Sequence, residues 1–193
     1  MQLVFCTNNQ HKIDEVQQIF NQKIHFLTLH EVGFAQDIPE PFLTLEENSL
    51  IKSQTVYDFC GKNCFSEDTG LFVNALQGQP GVLSARYAGP QASSTDNIQK
   101  LLHELQTHKD RSAYFKTVVT LIIKNTIHQF SGTCQGIITT DIQGTQGFGY
   151  DPIFVPDGST LSFAQMNLTE KNMFSHRRKA FDSFTQFLLH YTP

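Results

Sequence analysis

Four short stretches of this chain combine residue types that could do chemistry together. The first is Thr7-Asn8-Asn9-Gln10-His11-Lys12. It follows the apolar run Leu3-Val4-Phe5-Cys6 and precedes Ile13, Val16, Ile19 and Phe20 at helical spacing, so it joins a strand to a helix N-terminus. Amides at such a terminus, together with the helix dipole, favour an anion. A lysine in the first turn is unfavourable for the helix itself, which points to a phosphate partner, although a capped helix with an exposed lysine fits the local pattern too. The turn is not a P-loop, because it lacks G-x-x-x-x-G-K. The second stretch is Ser66-Glu67-Asp68-Thr69-Gly70, read as an acidic turn at the end of a short strand over 63–66. Carboxylates at a strand's carboxyl end face the ligand crevice in open α/β sheets. They suit Mg2+ or could orient a water; a solvated acidic turn fits as well. Glu40, between Pro39 and Pro41, reads on its own as a surface charge.

The third stretch, Gly147-Phe148-Gly149-Tyr150-Asp151-Pro152, flanks an aromatic with glycines that let backbone approach a planar ligand. Phe148 could stack on a base and Asp151 could accept a hydrogen bond; a tight turn around a buried aromatic is the alternative. The fourth comprises Glu170-Lys171 and Ser175-His176-Arg177-Arg178-Lys179. With Ser175 as a cap, His176 and Arg177 fall at the positive end of the last helix, suited to an anion or a base carbonyl. A solvated basic face explains Arg178 and Lys179 well, and His176 less well.

The elements that must position these residues follow from pattern. A helix is expected over 46–59, stopped by Gly61. Residues 71–76 read equally as strand or helix. Thr95 is the expected cap of a helix whose stripe is Ile98, Leu101, Leu102 and Leu105. Residues 114–123 are β-branched and aromatic, a strand; Lys124-Asn125 turns, and 127–139 returns. Residues 169–190 are helical with a break near Ser175, burying Phe181, Phe184 and Leu188. This pattern is α/β with a mixed sheet.

Composition bounds the function. The chain has 193 residues, enough for one independently folding domain. Seventeen Phe and no Trp make phenylalanine the main core filler. A formal charge of −4 argues against a general nucleic-acid binder, which needs a basic face. It allows one anionic small ligand in a local basic pocket. Cys6, Cys60, Cys64 and Cys134 lack zinc-ribbon spacing and are expected as free thiols. No apolar run nears the roughly 20 residues of a membrane span, and no secretory signal is evident, so a soluble cytoplasmic protein is expected.

Taken together, the motifs resemble the Ham1-type inosine/xanthosine triphosphate pyrophosphatase family almost end to end. Val4-Phe5-Cys6-Thr7-Asn8-Asn9 with Lys12 is similar to that family's T-x-N-x-x-K start. Glu47-Asn48-Ser49-Leu50-Ile51-Lys52 resembles its E-N-A-x-x-K helix, and Ser66 to Leu71 its D-D-S-G-L segment. Pro80-Gly81-Val82-Leu83-Ser84-Ala85-Arg86-Tyr87-Ala88-Gly89 resembles P-G-x-x-S-A-R-Y-A-G. Phe148 to Phe154, and Glu170-Lys171-Asn172 with Ser175-His176-Arg177, complete six motifs in order.

The resemblance implies a long twisted mixed sheet with flanking helices, and one domain over 1–193 with two lobes around a central cleft. It also implies a homodimer that contacts neither membrane nor nucleic acid. The implied reaction converts ITP, dITP or XTP and water to the monophosphate and pyrophosphate with Mg2+, cleansing the nucleotide pool. Asp68 corresponds to the catalytic carboxylate and metal ligand, Glu67 and Glu40 to metal-associated acids, and Lys52 to a lysine near the phosphates. Thr7, Asn8, Asn9 and Lys12 correspond to triphosphate contacts, and Gln10, His11 and Thr69 to further substrate contacts. Phe148, Gly149, Tyr150, Asp151, Lys171, His176 and Arg177 correspond to base and substrate contacts. Departures are Glu67 for a common Asp, Thr69 for Ser, Gln10 where a basic residue is frequent, and Gln79 in a loop position usually small. A related pyrophosphatase of other nucleotides is one rival. A nucleotide sensor is another, but it has no need for Glu67, Asp68 and Lys52 together.

Overall fold

The structure, a computed structural model, describes residues 2–21 and 24–191. Its strands are β1 (Leu3–Phe5), β2 (Phe26–Leu27), β3 (Cys64–Val73), β4 (Pro80–Gly81), β5 (Ser112–Ile123), β6 (Thr126–Ile138) and β7 (Phe154–Pro156). Its α-helices are α1 (Gln10–Phe20), α2 (Leu45–Cys60), α3 (Ser94–Glu104), α4 (Leu168–Phe174) and α5 (His176–His190). Among the described residues the strands form one sheet in the order β2-β1-β3-β5-β6-β7, with β4 on β3. The sheet is mixed: β1 runs parallel to β2 and β3, while β4 and β7 are antiparallel to their neighbours. Lys124 and Asn125, both at positive φ, join neighbouring β5 and β6; a two-residue link of this kind makes an antiparallel hairpin.

By contacts the chain divides into two compact units. The first holds Met1–Asp68, Thr117–Gly132 and Arg177–Pro193; the second holds Thr69–Lys116 and Thr133–His176. In the first unit the phenylalanines interlock as composition implies. Phe5 and Phe65 pair in register on parallel strands and stack at 4.6 Å. Phe20, Phe181 and Phe184, from α1 and α5, close over them. Val4, Cys6, Leu29, Phe34, Val56, Cys64 and Ile122 form a second cluster in this unit.

The second unit packs Ile98 and Leu101 of α3, and Leu105 just past its end, with Leu71, Val73, Ala113, Phe115, Phe154 and Phe163. Ser93, not Thr95, caps α3, because Ser93 and Asp96 close a reciprocal capping box there. The P-G-x-x-S-A-R-Y-A-G segment is tied to α3 and β3 through hydrogen bonds. Asn97 accepts from the Ala88 amide at 2.7 Å and donates to the Ala85 carbonyl at 3.1 Å. Ser84 Oγ accepts from the Leu71 amide at 2.8 Å. A Cβ at Gly70 would stand 2.6 Å from the Gly81 carbonyl oxygen, so β3 and β4 approach each other only because that residue is glycine. No helix among the described residues is long and apolar enough to cross a membrane, and all four cysteines are free.

Candidate active site

The acidic pair lies inside a strand rather than in a turn. β3 runs unbroken for ten residues through Glu67-Asp68-Thr69-Gly70, which corrects the expected strand end at Ser66. Residues 71–76 then divide, strand to Val73 and a 3-10 turn over Asn74–Leu76. Side chains alternate along a strand, so Glu67 and Asp68 point to opposite faces. Asp68 shares a face with Cys64 and Ser66, toward α2. Glu67 shares the other face with Phe65, toward α1 and α5.

On the Asp68 face, α2 begins at Thr44, whose hydroxyl caps the Glu47 amide, and ends at Gly61 in the left-handed region. Its buried stripe is Leu45, Asn48, Ser49, Lys52, Ser53 and Val56, the i, i+3, i+4, i+7 spacing of an inward face but mostly polar. Lys52 donates to Asp68 Oδ1 at 2.9 Å and to Glu40 Oε1 at 2.8 Å. Asn48 clamps the backbone of Phe42, accepting from its amide at 3.0 Å and donating to its carbonyl at 3.1 Å. That grip fixes the proline-flanked segment carrying Glu40. Beneath, Ser53 Oγ donates to Ser66 Oγ at 2.9 Å, Ser66 Oγ donates to the Ser49 carbonyl, and Ser49 and Thr120 hydroxyls pair at 2.6 Å. These directional bonds set α2 against β3 and hold Lys52 opposite Asp68. Burial raises the Asp68 carboxyl above its ordinary range despite Lys52. Burial opposes the Lys52 ammonium, but Asp68 and Glu40 outweigh it and raise its pKa.

On the Glu67 face the carboxylate is fully committed. Glu67 Oε2 accepts from Arg177 Nε at 2.7 Å, and Oε1 accepts from Arg177 Nη2 at 2.9 Å and pairs with Lys12 Nζ at 3.1 Å. Arg177 Nη1 also donates to Glu15 Oε2 at 2.5 Å. Burial would raise Glu67, but Arg177 first and Lys12 second hold it well below the usual carboxylate range. Burial likewise works against Arg177, and Glu67 and Glu15 more than offset it, raising its pKa. Glu67 faces away from Asp68, with both oxygens engaged. Arg177 is committed in the same way, its side chain 2% exposed and bonded to Glu67 and Glu15.

Lys12 differs from Arg177 in keeping an accessible side chain, at 17%. It lies in the first turn of α1, where Asn9 Oδ1 accepts from its amide at 3.2 Å and Thr7 Oγ1 accepts from the Asn9 amide at 3.2 Å. Asn8, Asn9, Gln10 and His11 are exposed around this terminus. Gln10 turns its side chain down the helix to Asp14 at 2.7 Å.

In the second unit, Asp151 Oδ2 accepts from the Phe148 amide at 2.9 Å and from Lys171 Nζ at 2.7 Å. Gly147 has φ +73, and a Cβ there would run into the Asp151 carboxylate. The glycine therefore allows the loop to fold over the ion pair. The Lys171 ammonium lies 5.2 Å from the Phe148 ring centre. Tyr150 is buried, and its hydroxyl donates to the Ser84 carbonyl at 2.9 Å, a structural tie. His176, at the start of α5, is buried with its ring stacked on Phe115. Thr69 is half-buried beside Asp68 on β3.

The sequence profile of the Ham1 family matches residues 3–187. The chain belongs to the Ham1 family. A Flavobacterium psychrophilum relative called dITP/XTP pyrophosphatase is 48% identical over 187 residues, covering 97% of this chain and 98% of its own. A relative of the same description from Porphyromonas gingivalis is 45% identical, covering 97% of both. The solved Staphylococcus aureus Ham1 protein superposes with a TM-score of 0.89 at 37% identity, covering 98% of each chain. A HAM1 protein from Coxiella burnetii gives 0.91 at 32% identity, covering 99% of this chain and 100% of its own.

Within this Ham1 member, motif reading passed over Glu15, Asn48 and the Ser49-Ser53-Ser66-Thr120 hydroxyls. Asn48 sits inside a recognised motif but touches only backbone. Glu15 carries a detectable signal: it follows Lys12 by three residues, on the same helix face and next to the buried Val16.

Proposed function

We propose that this chain hydrolyses ITP, dITP and XTP to the monophosphate and pyrophosphate, using Mg2+. The names carried by its relatives support the substrate class. The observation that carries the chemistry is the convergence of Asp68 and Glu40 on Lys52, at 2.9 and 2.8 Å. Two carboxylates against one ammonium leave a negative charge in excess, on hard oxygens that suit Mg2+. Among the described residues no three His, Cys, Asp or Glu side chains converge as a metal group. Asp68 and Glu40 would therefore hold the ion while water and phosphate oxygens complete it, the usual habit of Mg2+. When bound, Mg2+ neutralises phosphate charge that grows on the departing pyrophosphate.

The chain's own residues do the rest. The N-terminus of α1, with Thr7, Asn8, Asn9, His11 and Lys12, binds the triphosphate through amides and one cation. Asp68 orients a water toward the α-phosphorus and takes its proton; a carboxylate raised by burial is a stronger base than an exposed one. Lys52 holds Asp68 in place, and Thr69 adds a hydroxyl beside it. Phe148, Gly149, Asp151, Lys171 and His176 read the base. Hypoxanthine and xanthine present an O6 acceptor where adenine presents an amine donor, so a donor aimed at that position rejects adenine by leaving polar groups unpaired. The proposal includes a homodimer, a single functional domain over 1–193 and a cytoplasmic setting, the last supported by four free thiols.

With Mg2+ present, ITP and XTP are expected to release pyrophosphate with kcat/KM roughly 100-fold or more above ATP and GTP. EDTA is expected to abolish the release. Equal kcat/KM across the four nucleotides would overturn the substrate class.

A further inference from the structure

Lys171 and His176 come from different elements, yet one pair of rings supports both. Phe115, on β5, lies face to face with the His176 imidazole, with centres 4.6 Å apart and planes at 14°. Phe163, in the 3-10 turn Phe163–Gln165, has its ring centre 5.4 Å from the Lys171 ammonium. The two phenylalanines stack on each other at 6.3 Å and 27°, and Phe163 also meets His176 at 6.3 Å. Both are buried, at 6% and 1% exposure.

We propose that Phe115 and Phe163 are positioning residues for base selection, holding His176 and Lys171 in the orientation that distinguishes a purine carbonyl from a purine amine. The inference rests on the base-reading role proposed for those two residues. An imidazole makes its hydrogen bonds in its own plane, so whatever fixes that plane fixes where the ring nitrogens aim. Phe115 fixes the plane from one face. An ammonium can swing on a flexible stem. Asp151 anchors Lys171 at 2.7 Å, and the Phe163 face attracts it from a second direction. A leucine at either position fills apolar space but has neither a flat face nor a ring quadrupole.

The test compares the full-length wild type with Phe115→Leu and Phe163→Leu, using kcat/KM for ITP and for ATP with Mg2+ and a thermal melt of each protein. The ITP-over-ATP ratio is expected to fall about tenfold or more in each variant. The loss for ITP is expected mainly in KM. Inhibition by inorganic tripolyphosphate, which has no base, is expected to stay within about twofold. Leu101→Ala, which opens a cavity in the core of the same unit without altering either ring, is the comparison. It is expected to lower the melting temperature without changing the ratio. A ratio within about twofold of wild type in a leucine variant that is folded at the assay temperature overturns the inference. If one variant does not fold, the other decides. A wild type without preference for ITP overturns the base-reading role itself, and that outcome is visible before any variant is made.

Discussion

Asp68→Asn is expected to lower ITP turnover about a thousandfold while leaving the protein at least as stable as wild type. A thousandfold is about 4 kcal/mol of transition-state stabilisation, the scale expected when a carboxylate that holds a metal and accepts a proton becomes a neutral amide. The stability half follows from the direction of the pKa shift. Burial lifts the Asp68 carboxyl above its ordinary value, and Lys52 does not fully offset that. A group shifted upward contributes stability in full below its unfolded pKa and loses it as pH rises through its folded pKa. At neutral pH the ionised Asp68 is therefore a net cost, which asparagine removes while keeping the shape. Lys52 retains Glu40 at 2.8 Å, so no buried ammonium is orphaned. Turnover within a few-fold of wild type, or a clear fall in melting temperature, would contradict this account of Asp68.

Arg177→Ala is expected to do the reverse, acting first on the fold. It strands Glu67 and Glu15 in a buried site, and breaking such a cluster from one side costs about 3–5 kcal/mol. The penalty depends on pH in a direction that can be stated. Arg177 and Lys12 hold Glu67 well below the usual range against its burial. The stability this supplies is present in full above the ordinary glutamate pKa, near 4.3, and drains away as pH falls from there toward the depressed native value. The gap between wild type and Arg177→Ala in urea melts should therefore be widest at neutral pH and narrow below about pH 4. A constant gap from pH 7 to pH 3 would remove Glu67 as its cause. The variant should also raise KM, because a Glu67 released from Arg177 competes more strongly with phosphate for Lys12.

The sequence made some of this legible and hid the rest for physical reasons. Phe181 and Phe184 could be read because an apolar stripe on a helix has one explanation, burial against a core. Gly61 could be read as a stop because the left-handed cap it adopts favours glycine. The buried face of α2 could not, because Asn48, Ser49, Lys52 and Ser53 are satisfied by partners that periodicity does not reveal, among them Thr120 and Asp68. β3 looked finished at Ser66 for the same reason. Two adjacent acids argue against a buried strand unless cations from elsewhere meet them, and Arg177 lies 110 residues away in sequence. The different surroundings of Glu67 and Asp68 then follow from one elementary fact, the two-residue repeat of a strand, once the strand is known to continue.

The most direct measurement of the central claim is where water's oxygen goes. Wild-type enzyme, Mg2+ and ITP in 18O-labelled water should yield inosine monophosphate carrying the label, with unlabelled pyrophosphate, as follows from the proposed attack of an Asp68-held water on the α-phosphorus. Label in the pyrophosphate, or release of inosine diphosphate and orthophosphate, would contradict the assignment of this site.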